Sequence, residues 1–215
     1  MDQFGGFLSN DSTFGRLMTK IGIIIALNIL FAISCIPFFT IGAAACGMYY
    51  AIFEMQTEED PINPWKIYWQ GFKKNVAPAT LSWLAFVGAA ALCLVNLQVC
   101  AQGPEWLRYC SAGVIAVLVV AVVLIVYLLP VLSMCSGKLR DLIKLSICAA
   151  MSHPLQTILV LLLHAGPIAL FLMDEVNRPT YAFVGAFFGF GVIAYIIGKL
   201  LLPQIDSYLE MADAG

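Results

Sequence analysis

SCIPFFTIGAAACGMYYAIFEM, Ser34 to Met55, decides how the rest of this chain threads. It opens as the end of an apolar run and meets Pro37 and Thr40. It continues through Gly42, Ala43, Ala44, Ala45 and Gly47, and reaches its first charge at Glu54. No residue from Ile21 to Phe53 is charged. A helix of that length extends about 50 Å at ~1.5 Å per residue. One crossing of a bilayer needs about 30 Å, and two crossings with a turn need roughly 40 residues. The run is too long for one crossing and short for two. Pro37 lacks an N–H and disfavours helix at Ile36. Thr40 then stands where it can cap a new helix by accepting a backbone N–H. The stretch therefore reads as a full span from Lys20 to Cys35, a break at Pro37 to Thr40, and a second helix from Ile41 to Met55. That second helix is expected to be half-inserted or packed on protein, in preference to forming a tight hairpin of two full spans. Its small face lets another helix approach closely. The partner is either this chain's own spans or another protein.

Composition points the same way. The chain has 215 residues, 61% hydrophobic and 11% charged, with a mean hydropathy of +0.91. Soluble domains are about 45–50% apolar and about 25% charged, so the excess apolar surface calls for lipid. The net charge of −2 offers no basic field for nucleic acid. Seven cysteines are scattered without metal-ligand spacing. Cys100 and Cys110 flank a short loop and are more readily free than paired, since spacing alone does not make a disulfide.

Four later runs are long and continuously apolar: Val76 to Val99, Tyr109 to Met134, Leu155 to Met173, and Tyr181 to Gly198. They do not alternate and exceed the ~9–11 residues of a barrel strand. Backbone groups inside lipid must bond within their own segment, so these are helices. The expected fold is all-α and polytopic, with five full spans and a short extra helix after the first, a sixth span if it crosses. It forms one membrane domain in three segments, 1–56, 57–134 and 135–215. The last two segments each run from a basic amphipathic stretch through a proline (Pro78, Pro154) into two spans.

In the first of those stretches Asn63 is an N-cap and Pro64 the first helical residue. Trp65, Tyr68, Trp69 and Phe72 share one face, with Lys66, Lys73 and Lys74 largely opposite. This suits an interfacial anchor, with a docking surface for a cytoplasmic partner as the alternative. The second stretch carries Lys138, Arg140 and Lys144, and Lys199 closes the last span. Basic loops stay cytoplasmic, which places the C-terminus there. Arg16 and Lys20 fit that rule only if the opening run returns to the side on which it began.

No Asp, Glu, Lys or Arg stands at the centre of a full span, which argues against proton pumps and ion exchangers. The intramembrane polar candidates are Asn28, Asn96 and His164. For His164 an interhelical hydrogen bond is preferred over a proton relay. Gly185 and Gly189 form a GxxxG in the last span, a place for close helix approach. Catalytic and nucleotide-binding motifs are missing. The expectation is a non-enzyme without cofactor or metal.

The signature Pro37, Thr40, Ile41, Gly42, Ala43 and Tyr50, after a span containing Asn28 and before the GFKKN at Gly71 to Asn75, resembles the YesL family of small bacterial membrane proteins. Cys46 to Tyr49 depart from that pattern. The resemblance implies a multi-pass protein of the bacterial cell membrane, often associated with carbohydrate ABC importers. It implies an accessory subunit meeting importer permease subunits. The alternatives are an autonomous small-solute transporter or channel, or a membrane partner of a sugar-responsive regulator. Membrane lipid and a second copy of the chain complete the expected partners. The family carries no agreed binding residues.

Overall fold

The structure, a computed structural model, describes residues 13–58 and 62–213. The described residues form eight α-helices: α1 Thr13–Ser34, α2 Ile41–Thr57, α3 Pro64–Gln102, α4 Glu105–Met134, α5 Leu139–Ser152, α6 Pro154–Met173, α7 Arg178–Val184 and α8 Phe190–Asp213. A 3₁₀ turn, Phe38–Thr40, precedes α2, and a π-helical turn, Gly185–Gly189, joins α7 to α8. Five stretches are long and apolar enough to cross a membrane: Phe14–Ser34, Phe38–Thr57, Pro64–Gln102, Tyr109–Met134 and Pro154–Met173. The polytopic helical class is as the sequence implies, but the set of five differs. The helix after Pro37, expected to be the short extra, is one of them. The last apolar helix is shorter, Phe190–Ile205, because the π turn interrupts the run.

The break at Pro37 is where the sequence puts it, but Thr40 does something else. Its hydroxyl makes no N-cap bond to α2. It points back, 2.6 Å from Ser34 O and 2.7 Å from Pro37 O. The last carbonyls of a helix have no partner inside it, and the Thr40 hydroxyl serves one of them, Ser34 O. A short connection between helices that touch makes α1 and α2 antiparallel neighbours. Arg16 and Lys20 therefore lie at the same end as the C-terminus of α2, and the opening run does return.

The small face of α2 packs within the chain. Ala43, Ala44, Cys46, Ala51 and Ile52 are fully buried, and α2 touches α1, α3, α4 and α8. A Cβ on Gly42 would collide with Ala79 O and Trp83 Cβ. One on Gly47 would meet Tyr68 O at 3.0 Å, and one on Gly71 would meet Tyr50 Cβ at 2.5 Å. Small residues on both helices bring the α2 and α3 backbones together, which is how helices associate where water drives nothing.

Asn63 caps α3 as expected, its Oδ1 accepting Lys66 N–H at 3.3 Å, with Pro64 in the first turn. The amphipathic stretch and the following span form one 39-residue helix that passes through Pro78 without ending. The aromatic face divides. Tyr68 is fully buried and Phe72 packs on the core, while Trp65 and Trp69 stay exposed. So the segment is half a packing surface for α2 and half an outward one. At the corresponding place in the next segment, α5 stops at Ser152 and α6 starts at Pro154. The two segments agree in order but not in continuity.

Candidate functional site

Two buried polar side chains, Asn28 and Thr157, answer backbone groups that a neighbouring helix interruption has freed. A π turn shifts the hydrogen-bond register and leaves groups unpaired around it. Asn28, fully buried on α1, serves both sides of the turn. Its Oδ1 accepts Gly191 N–H at 2.7 Å, and its Nδ2 donates to Gly185 O at 3.3 Å. At the α5–α6 break Pro154 has no N–H to give the carbonyl four residues earlier, Ala150 O. The Thr157 hydroxyl lies 2.8 Å from that oxygen, and Tyr127 OH lies 2.8 Å from the same hydroxyl. Gln56 Nε2 also reaches Tyr195 O at 2.8 Å, within the run of α8, and ties α2 to α8. In lipid these bonds have no water to replace them.

The sequence candidates do not converge. Asn96 is exposed and bonds only Leu92 O, four residues back, at 2.8 Å. His164 is half-buried and meets Val160 O at 2.9 Å within its own helix. Its bond is local where an interhelical one was expected. The π turn lies against α1, but its two glycines are not what allows the approach: a Cβ on Gly185 meets nothing within 4 Å, and one on Gly189 meets only Val184 O at 3.7 Å. The close approaches lie further along. A Cβ on Gly191 would be 2.8 Å from Ile24 Cγ2, and one on Gly198 would be 3.0 Å from Ile52 Cγ2 and Gln56 Nε2. With Ala194, Ile197, Leu201 and Ile205, both glycines belong to one buried stripe of α8. The spacing of these small residues carried that signal, and GxxxG drew attention from it. Cys100 and Cys110 are both free thiols.

The basic residues do assemble. Asn63, Trp65, Lys66, Trp69, Gln70 and Lys73 line an open groove of about 480 Å³ at the start of α3. Lys74, Asn75, Pro78, Leu132, Cys135, Ser136, Gly137, Leu139 and Leu142 line a second hollow of about 250 Å³, where α3, α4 and α5 meet. Lys138, Arg140 and Lys144 are exposed beside it on and before α5. The Lys144–Asp141 pair at 3.9 Å is solvent-exposed and contributes little to stability. Lys74 sits 5.7 Å above the Tyr50 ring and Lys199 5.2 Å above the Tyr195 ring, each cation held over an aromatic face. Aromatic and cationic side chains together suit a headgroup layer. At the α6–α7 loop, Asp174 accepts from Asn177 Nδ2 at 2.9 Å and Tyr181 OH at 3.0 Å. The Asn177 and Tyr181 bonds hold its carboxyl below the usual carboxylate range.

Residues 24–97 match the family described as a protein of unknown function, DUF624. The matched segment covers Asn28, the Pro37 break, α2 and most of α3, the parts that pack most closely on one another. No curated protein matches the chain. No solved structure matches it.

Proposed function

We propose that the chain is a non-enzymatic accessory subunit of a carbohydrate ABC-type importer in the bacterial cell membrane, with its basic end and C-terminus in the cytoplasm. One observation carries the reading. The apolar windows of α3 and α6 are each only 6% buried within the chain, against 61% for the stretch Phe38–Thr57. A well-packed module thus presents two long, nearly bare helices to its surroundings. Exposed side chains such as Leu92, Val95 and Val99 on α3 and Leu162 on α6 offer the surface on which permease helices would pack. The resemblance to YesL-like proteins motivates the choice of partner, and the match to DUF624 is in keeping with that resemblance without bearing on the partner.

The transporter alternative drew on interrupted helices, whose free backbone groups bind solutes in many carriers. In this chain Thr40, Asn28 and Thr157 already occupy such groups, which takes away its motive. The test is a photocrosslinking residue at Leu92 or Leu162 in native membranes, with cells grown on different sugars. Crosslinks to permease subunits are expected. Crosslinks to lipid alone at both positions, under every growth condition, overturn the reading.

A further inference from the structure

The α1–α2 hairpin is measured against α3 by contacts at its tip. Trp83 Nε1 donates to Phe38 O at 3.1 Å, and the two rings lie 6.0 Å apart. Gly42 faces Ala79 and Trp83, and Tyr68 lies beside Ser34 and Cys35. The turn thus stands no further along α3 than Trp83. From Trp83 back to the cation at Lys74 is about 13 Å of helix, and forward to Gln102 about 28 Å, at ~1.5 Å per residue. A hairpin that crossed the ~30 Å hydrocarbon layer would bring its turn near the far end of α3.

The chemistry of the turn agrees with that depth. Ile36, Phe38 and Phe39 are 80%, 57% and 55% exposed, an apolar tip that water does not favour. Three of its carbonyls nevertheless have side-chain partners: Thr40 Oγ1 reaches Ser34 O and Pro37 O, and Trp83 Nε1 donates to Phe38 O. Cys35, Ile36 and Thr40 N–H groups bond Phe31, Ile33 and Pro37 carbonyls. Pro37 has no N–H to satisfy. A turn in water would not need side chains to complete its carbonyls. A turn in hydrocarbon would.

We infer that α1 and α2 form a re-entrant hairpin. It enters from the basic face, turns at Ile36–Phe39 among the acyl chains, and returns to the same face. The occupant of the space around the tip is lipid. α3 and α4 continue past the tip to the opposite surface, with Leu92, Val95, Val117 and Val120 exposed along that stretch.

The test places a nitroxide at Ile36→Cys in a cysteine-free background, in reconstituted vesicles, with Gln102→Cys as the far-surface control. Expected is frequent collision with oxygen and loss of collision with a water-soluble nickel chelate at position 36. Collision with the chelate at the level of position 102 means a full crossing and overturns the inference. Low collision with both reagents means that protein covers the tip, and overturns it equally. If the cysteine-free protein does not fold, Phe38→Trp with the other tryptophans replaced by Phe reads depth through brominated phosphatidylcholines. Strongest quenching by bromines far down the chain is expected. Strongest quenching near the headgroup refutes the hairpin's depth.

Discussion

Replacing Asn28 by Leu removes the amide that serves the π turn and keeps the branched shape of the side chain. Two hydrogen bonds are lost, the 2.7 Å bond from Gly191 N–H and the 3.3 Å bond to Gly185 O. Side-chain bonds inside membranes contribute about 0.6 to 1.7 kcal/mol each. A buried donor left without a partner costs about 1–3 kcal/mol. The first bond is short and buried, and the second is long, so the loss is about 2–3 kcal/mol in all. Unfolding in mixed micelles by SDS titration measures it. Asn28→Ala, which adds a cavity, should cost more than Asn28→Leu. A local readout separates this bond from general loosening: exchange of the Gly191 amide should accelerate more than that of neighbouring α8 amides. If Asn28→Leu changes stability by less than about 0.5 kcal/mol and the Gly191 amide exchanges as before, the amide does not hold the π turn and the reasoning fails.

Gly191→Ala should destabilise by about 1–3 kcal/mol, since its Cβ would meet Ile24. Gly185→Ala, with open space around it, should be neutral or stabilising by up to about 1 kcal/mol; the same titration compares them. Thr40→Val should cost about 1 kcal/mol, read as faster exchange and earlier unfolding of the α1–α2 turn. Asp174 supports its loop through bonds that its charged form accepts. Its folded pKa lies below the ordinary 3.8, so that support is complete above the ordinary value and is lost as pH falls through the lowered one. Amide exchange across 174–178 as a function of pH should show this opening, and Asp174→Asn should abolish its pH dependence.

Much of the architecture is local chemistry and was legible residue by residue. Pro37 ends a helix wherever it stands in one, and Asn63 followed by Pro64 starts one. Thr40 was found for the right place with the wrong bond. Its hydroxyl had two neighbours in sequence to serve, the helix ahead and the helix behind. The open carbonyl at the end of the helix behind, Ser34 O, takes it. The continuity of α3 through Pro78 was not legible, because a proline inside a helix survives where tertiary contacts hold both sides. Those contacts, Gly42 on Ala79 and Tyr50 on Gly71, come from another helix.

The sequence alone determined the solvent of this protein, its apolar runs and the charges that bound them, because hydropathy and helix length act within a segment. It also placed the basic and aromatic side chains on the first turns of one helix, but set Lys66 and Lys73 opposite Trp65 and Trp69. Packing instead turns Tyr68 inward and leaves Trp65, Trp69, Lys66 and Lys73 lining one groove. The tertiary structure decided which small residues are contacts, why Asn28 is buried, and how far the opening hairpin reaches along α3. Each of those depends on residues far apart in the chain, Asn28 and Gly191 above all. A π turn adds one residue to a hydrogen-bonded ring without any mark in composition. Only the helix that packs beside it reveals which polar group completes it.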